Sequence, residues 1–214
     1  MATRTIQNII DFMSYIVRKE RGTFLLIDQA VTALDVGQMD AFEDYFKQYG
    51  VDQTIHDALK PFRVYYQFTS STDGFVTYPA AVVHLLGSPW TVTGSTANPI
   101  RFVNEDELPT LFNSQLRPIT NTYPIAVDTA AGFSIYPQQT QIGYFVYLRR
   151  PILPVYSYTQ VGRVITYNSA SSTQLEWNEV YWNNIIARAL KYVGVNMSEK
   201  EVSDFATQYE QETK

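Results

Sequence analysis

The segment Gln141-Ile-Gly-Tyr-Phe-Val-Tyr-Leu-Arg-Arg-Pro-Ile-Leu-Pro154 carries the strongest strand signal in this chain and ends in a Pro-x-x-Pro motif. Successive side chains of a strand point to opposite faces, and here neither face is plainly polar. One face carries Ile142, Tyr144, Val146 and Leu148, and the other carries Phe145 and Tyr147. Such a strand lies in the middle of a sheet or is covered on its second side. Pro151 cannot donate a backbone hydrogen bond, so regular pairing should end before it.

Composition limits the classes of function that are open to the chain. Its 214 residues carry a net charge of −5 and no cysteine, and no basic run is longer than Arg149-Arg150. A dedicated nucleic-acid binder would show a clustered basic face, so that class is disfavoured. No apolar run approaches the roughly 20 residues of a membrane span, and the first residues lack the apolar core of a signal peptide. The 16 tyrosines and the low share of charged residues, 17%, favour either protein–protein contacts or a β-rich core.

The first sixty residues are predicted to be helical. Apolar residues recur at three- and four-residue steps in a first helix that ends at Gly22. The basic residues within 18–21 suit the negative end of its dipole, and a contact with an acidic partner is the alternative. Asp28 is predicted to cap a second helix, with a kink or break at Val36-Gly37, where the apolar spacing lengthens.

The middle of the chain is predicted to be rich in strands. Residues 62–68 and 75–78 flank the turn signal Asp73-Gly74 and predict a β-hairpin. Residues 79–86 fit either a short helix or a strand. Residues 87–99, which are rich in Gly, Ser, Thr and Pro, predict a surface loop.

Further strands follow at short spacing. They are predicted over 123–127, 132–136 and 141–148, and a meander is the economical topology. Asn104 is predicted to start a short helix before them, and residues 163–167 offer one more strand.

The C-terminal region returns to helical patterns. Asn178 is the predicted cap of a broadly apolar helix that ends at Gly194. Ser198 and Glu201 have the spacing of a capping box, which predicts a last, more polar helix.

Together these patterns predict an α+β fold, with helices at both termini packed on a central antiparallel β-sandwich or small barrel. We expect an N-terminal helical segment over residues 1–60 and a C-terminal helical segment over residues 168–214. Between them, residues 61–167 should form a β-rich domain with a short inserted helix.

The sequence contains no recognised catalytic or metal-binding motif. His56 and His84 lie in segments of different type, and neither belongs to a nucleophile triad or a zinc motif. The acids at 105–107 suit the start of the short helix better than a cation site. We therefore expect no catalytic residue, no cofactor and no metal, and a non-enzymatic protein. An enzyme whose carboxylates pair only in space is the competing hypothesis.

Three groups of short motifs carry a resemblance to a known class of proteins. The first is Asp57-Ala-Leu-Lys-Pro-Phe62 with the Asp73-Gly74 turn, and the second runs from Tyr136-Pro137 to Tyr147-Leu-Arg-Arg-Pro-Ile-Leu-Pro154. The third is Leu175-Glu-Trp177 with the following helix that ends at Val193-Gly-Val195. In this order they resemble small virion structural proteins of tailed bacteriophages, notably those that infect Bacteroides-type hosts. The chain is most similar to the connector (neck or adaptor) proteins that form rings between portal and tail.

This resemblance implies a homo-oligomeric ring, commonly a dodecamer, at the head–tail junction of a virion assembled in the host cytoplasm. Its partners would be copies of itself, the portal protein and neighbouring tail or ring proteins. DNA would be present only as cargo passing through the lumen, and no membrane would be involved. The motifs define a fold, so no functional residue is carried over from the family. An acidic lumen would not hold passing DNA, because carboxylates and phosphates repel each other.

A ring subunit covers its flanks with identical neighbours through heterologous contacts. Such contacts favour aromatic side chains and arginine over lysine and glutamate. The predicted subunit interface accordingly consists of Phe145, Tyr147, Arg149, Tyr156 and Tyr158.

A receptor- or carbohydrate-binding β-domain of a tail or capsid accessory protein is the alternative function. It would use exposed tryptophans as stacking platforms for a ligand. The chain has three, Trp90, Trp177 and Trp182.

Overall fold

The structure is a computed structural model that describes residues 5–50, 52–116, 118–162, 164–195 and 197–212. The chain forms two compact units. The helix-rich unit combines Met1–Pro61 with Pro151–Lys214, and the strand-rich unit is the continuous stretch Phe62–Arg150. This division differs from the three consecutive segments expected from the sequence, because residues 151–167 belong with the helices.

Helices lie towards both ends of the chain, as the sequence predicts. The α-helices are α1 (Ile6–Arg21), α2 (Ile27–Lys47), α3 (Gln53–Leu59), α4 (Leu108–Phe112), α5 (Trp182–Tyr192) and α6 (Glu199–Glu212). The predicted end of α1 is confirmed, since Gly22 adopts φ 65° and its N–H donates to the carbonyl of Arg18. The Asn178 side chain accepts from the N–H of Val180 in a 3₁₀ turn before α5, as expected of a cap. Over the described residues, no helix is long and apolar enough to cross a membrane.

The break predicted at Val36-Gly37 does not occur, and α2 is continuous through both residues. A Cβ atom at Gly37 would lie 2.8 Å from the carbonyl oxygen of Ile185 and 2.9 Å from the amide nitrogen of Ala189. Glycine here lets the backbone of α5 approach closely, and its cost of about 1 kcal/mol relative to alanine does not end the helix. The helix also begins at Ile27, ahead of the predicted cap Asp28.

Three sheets contain the ten strands of the described residues. The strands are β1 (Arg63–Thr69), β2 (Phe75–Thr77), β3 (Val82–Thr93), β4 (Thr96–Pro99), β5 (Arg101–Phe102), β6 (Ile125–Thr129), β7 (Gly132–Tyr136), β8 (Ile142–Arg149), β9 (Tyr158–Val161) and β10 (Val164–Tyr167). Sheet 1 has the order β1-β8-β3-β4, and sheet 2 has the order β2-β7-β6-β5. Both lie in the strand-rich unit, while β9 and β10 form a separate hairpin in the helix-rich unit.

Sheets 1 and 2 pack face to face and do not close into a barrel. Of the two predicted architectures, the chain therefore forms the sandwich. Their shared core contains Phe68 and Phe145 from sheet 1 and Phe133 and Ile135 from sheet 2. The rings of Phe68 and Phe133 meet edge to face with centroids 5.5 Å apart, a favourable aromatic geometry. The pairing is antiparallel except for β5 with β6, which run parallel. As predicted, β8 is an inner strand, and it pairs with β1 and β3.

The predicted hairpin of residues 62–78 is wrong, and the predicted meander is confirmed for β6 and β7 but wrong for β8. β1 pairs with β8 in sheet 1, whereas β2 pairs with β7 in sheet 2, so the Asp73-Gly74 turn carries the chain from one sheet to the other. The chain changes sheets again between β7 and β8. The hydroxyl of Ser70 donates to the carbonyl of Gln139 at 2.8 Å and so ties the two crossing points together.

The surface loop predicted over residues 87–99 is also wrong, because β3 and β4 form a hairpin there. Gly94 adopts φ 61° in its turn. The glycine and proline near the start of this stretch belong to a register shift between Leu86 and Trp90, beyond which pairing with β8 resumes. The threonines that indicated a loop are β-branched residues that suit a strand equally well.

Candidate interaction surface

Two of the five predicted interface residues are in the core. Phe145 is 1% exposed and Tyr147 is 5% exposed, and both lie between sheets 1 and 2. The second face of β8 is therefore covered by sheet 2 within the same chain. Neither side chain can contact a neighbouring subunit, and both are excluded from the candidate surface.

Arg149, the third predicted residue, is half-buried at the end of β8. Its guanidinium lies 5.8 Å from the ring centroid of Phe62, within the range of a cation–π contact. It also donates to the carbonyl of Arg150 at 3.2 Å. These contacts give Arg149 a role within its own chain.

The two predicted tyrosines, Tyr156 and Tyr158, lie together at the base of the β9–β10 hairpin. The ring of Tyr156 is 6.0 Å from Tyr158 and 5.0 Å from Tyr167, centroid to centroid. Burial raises the pKa of Tyr156, with smaller contributions from Asp11 and Tyr167. The neutral form of the Tyr156 phenol is therefore favoured at the base of the hairpin.

The hairpin is anchored at its base by hydrogen bonds. Val155 and Thr173 exchange a pair of backbone hydrogen bonds of 3.1 and 2.9 Å. The N–H of Ser157 donates to the hydroxyl of Ser172 at 2.9 Å, and the N–H of Asn168 donates to the carbonyl of Ser157, also at 2.9 Å. The hairpin therefore leaves the helix-rich unit from a fixed base.

Beyond this base the hairpin exposes apolar residues on both faces. Val161 is 80% exposed, Val164 is 65% exposed and Ile165 is 49% exposed. All four residues of β9 are exposed, as are the first three of β10. A two-stranded hairpin without a covered face is marginally stable in water, so this element has the features of one that a partner covers.

The strand-rich unit has a second exposed surface, on the outer face of sheet 1. Tyr65 is 65% exposed and meets the ring of Trp90 edge to face at 5.9 Å. Trp90 also stacks on Tyr144 of the adjacent strand β8, with centroids 6.0 Å apart. Ile142 extends this aromatic row and is also exposed. Sheet 1 therefore presents an aromatic outer face that reaches its edge strand β1, where the guanidinium of Arg63 lies 6.0 Å from the ring centroid of Tyr65.

An open groove of about 580 Å³ lies in the helix-rich unit, lined by the end of α1, the start of α2 and the end of α5. Phe24 is exposed at its rim, with the guanidinium of Arg18 4.9 Å from its ring centroid. Arg21 donates to the carbonyl of Val193 at 2.7 Å. The groove has mixed charge because Arg21 and Asp28 both line it, so it indicates no particular class of partner.

The charged clusters of the described residues serve structure. Arg188 on α5 contacts Asp40 at 2.6 Å and Asp44 at 2.7 Å, both on α2. Although burial alone would lower the pKa of Arg188, its hydrogen bonds to the two carboxylates raise it. Glu176, the neighbour of Trp177 in the sequence, accepts from the N–H of Ile152 at 2.9 Å. Among the residues that the structure describes, no three His, Cys, Asp or Glu side chains group in a way that could hold a metal ion.

Sequence reasoning missed the apolar residues of the hairpin. β9 was not predicted because Thr159 and Gln160 interrupt its apolar pattern, and β10 was predicted as a single strand without a partner. Gly162, with φ 62°, was the available signal, since a glycine between two short runs of β-branched and aromatic residues marks a tight turn.

Comparison with known proteins does not identify the chain. No protein-family model matches it, and no curated protein matches it significantly.

Proposed function

We propose that the chain is a non-enzymatic structural subunit of a phage connector ring at the head–tail junction, which joins the portal to the tail. The resemblance of its short motifs suggests the class of protein. The carrying observation is the β9–β10 hairpin, with Val161, Val164 and Ile165 in solvent. An anchored element with an apolar, uncovered tip suits a subunit that is completed by its neighbours.

Imaging and mass measurement of the purified protein test this proposal. Mass photometry and negative-stain microscopy should show a closed ring, either of the protein alone or on its portal. A subunit that stays monomeric and does not bind the portal would contradict the proposal. A monomer in isolation is compatible with it, because assembly can depend on the portal as a template.

A matched pair of variants links the ring to the hairpin. Val161→Lys places a charge on the exposed tip and should reduce assembly. Val180→Lys changes a residue of similar exposure, 74%, outside any strand, and should assemble normally. Equal assembly by both variants would show that the hairpin tip is not an interface.

A carbohydrate-binding β-domain is the second candidate, and Trp90 is the observation that favours it. Trp90 is half-buried between Tyr65 and Tyr144, and such an aromatic row can stack on a sugar ring. Trp177 and Trp182 are buried in the helix-rich unit and cannot serve as platforms. Glycan-dependent quenching of tryptophan fluorescence that is lost in Trp90→Phe would support this function. Fluorescence unchanged across a glycan panel would count against it.

A further inference from the structure

Among the described residues of the strand-rich unit, one sheet edge is long and carries little protection. Its four edge strands differ greatly in length: β2 has three residues, β4 has four, β5 has two and β1 has seven. Short strands and proline are common means of preventing edge-to-edge association, and β4 also ends in Pro99. Three edges are therefore short, and β1 is the exception.

β1 also lacks most of the other usual protections, and its one charged residue is Arg63 at its first position. It pairs with β8 over seven consecutive residues, from Arg63 with Leu148 to Thr69 with Ile142, without a bulge. Its sequence, Arg-Val-Tyr-Tyr-Gln-Phe-Thr, contains no proline, lysine or acid, and five of the seven side chains are exposed. Such an edge presents a row of backbone donors and acceptors to any strand that can approach it.

The β9–β10 hairpin has complementary properties. It forms a sheet of only two strands, so β10 has an unpaired edge on the side away from β9. The strand β10, Val-Ile-Thr-Tyr, has no charged residue and exposes Val164 and Ile165. β-branched and aromatic side chains form favourable cross-strand pairs, and β1 offers the exposed Tyr65 and Tyr66.

We propose that β10 of one copy adds as a fifth strand to the β1 edge of sheet 1 in the next copy. This inference rests on the proposed ring and specifies its contact. A second copy is the partner that the chain itself indicates, because one contact between identical copies covers both the long β1 edge and the β10 edge of the hairpin. Two different patches meet in this contact, which makes it heterologous, and the contact gives a ring when its repeated rotation closes and an open filament when it does not.

The absence of cysteine makes disulfide cross-linking a direct test. One cysteine is placed on β1, at Tyr65 or Gln67, and one on β10, at Val164 or Ile165, giving four double variants. Val164 and Ile165 are adjacent, so their side chains point to opposite faces of β10, and one of them must lie on the same face as the β1 cysteine. Tyr65 and Gln67 are two residues apart on one face of β1, so the two positions sample two registers of the β1–β10 pairing. The proteins are oxidised mildly at assembly concentration, with and without the portal.

A head-to-tail contact has a distinctive product. At least one double variant should give a ladder of covalent dimers, trimers and larger species on a non-reducing gel. The matching single variants should give no ladder, because a single cysteine joins at most two chains. The absence of a ladder from all four double variants would overturn the inference. A second outcome would also overturn the inference. If the single variant Ile165→Cys forms a dimer as efficiently as the double variants form their products, the hairpins of two copies contact each other instead of β1.

Hydrogen exchange separates this inference from the proposed function. Ring assembly should slow amide exchange in both β1 and β10. A ring on the portal in which β10 is protected and β1 is not would leave the proposed function intact and overturn the inference. A ladder of cross-linked species from a double variant, together with no binding of the protein to the portal, would support the inference and contradict the connector role.

Discussion

Gly37 on α2 and Ala189 on α5 lie in backbone contact, and a single added methyl group at Gly37 would come within 2.9 Å of the Ala189 amide nitrogen. The same methyl group would lie 2.8 Å from the carbonyl oxygen of Ile185. Because both neighbours are backbone atoms of a helix, neither can move aside by changing a rotamer. This contact sets the spacing of the two helices.

Gly37→Ala should therefore destabilise the helix-rich unit. Alanine gains about 1 kcal/mol of helix propensity over glycine, but overpacking costs about 1–3 kcal/mol and more against rigid backbone. Thermal unfolding followed by circular dichroism should show a lower Tm for the variant. Val36→Ala, at an exposed neighbouring position, is the control and should change the Tm little. A rise in Tm for Gly37→Ala would show that α5 can shift away.

Gly143 in β8 should be equally intolerant of a side chain. A Cβ atom there would collide with the ring of Phe68 and the carbonyl oxygen of Trp90. Gly143→Ala should destabilise the strand-rich unit by about 1–3 kcal/mol, measured as a lower midpoint of urea unfolding. Ile142→Ala, on the exposed face of the same strand, should have a smaller effect. Equal midpoints for the two variants would argue against the close approach of β3.

Arg188 should contribute to stability through its contacts with α2. Its guanidinium reaches Asp40 and Asp44 and also donates from Nε to the Asn184 side chain at 2.7 Å. Arg188→Lys cannot reproduce this geometry and should cost about 1–2 kcal/mol in urea unfolding, less at high salt. Lys47→Ala breaks an exposed pair of 3.9 Å and should have almost no effect. Similar losses for both variants would contradict a special role for Arg188.

The capping box of α6 should make that helix sensitive to acid. Hydrogen bonds from the backbone N–H and hydroxyl of Ser198, at 2.6 and 2.8 Å, lower the pKa of Glu201. The ionised form is therefore favoured in the folded state. Its stabilising contribution is complete above the pKa of an unfolded glutamate and is lost as the pH falls through the lowered pKa. Amide exchange in α6 should accelerate over that acidic range.

Substitutions at Glu201 separate charge from geometry. Glu201→Ala should accelerate exchange in α6 at neutral pH. Glu201→Gln should keep the cap and remove its contribution to the pH dependence, because glutamine also accepts from the N-cap backbone. Asp204→Asn, on the same helix, is the control. An unchanged acid response in Glu201→Gln would assign the sensitivity to other groups.

Local signals predicted the helices well and the sheet partners poorly. The apolar period of α1, the end at Gly22 and the Ser198–Glu201 box depend on residues within one or two turns, so the sequence displays them directly. Partner choice among strands depends on distant residues. The turn at Asp73-Gly74 looks the same whether the next strand returns to its own sheet or enters the facing one.

The candidate surface was mispredicted for the same reason. Phe145 and Tyr147 form an apolar second face on β8, and the sequence does not show whether that face is covered by the same chain or by another. The sheet containing Phe133 covers it. The hairpin itself was missed because Thr159 and Gln160 interrupt the apolar pattern of β9, which left the strand predicted over 163–167 without a partner.

The interleaved sequence of the two units has a consequence for synthesis on the ribosome. All residues of the strand-rich unit are available once Arg150 has left the ribosomal exit tunnel. The unit can therefore fold while the rest of the chain is still being synthesised. α2 must wait for α5, since Asp40 and its partner Arg188 are 148 positions apart. During that interval the apolar face of α2, with Phe42, is uncovered in the nascent chain. The N-terminal half of the helix-rich unit is thus translated early and folded late, which lengthens the time during which its apolar residues are exposed in the nascent chain.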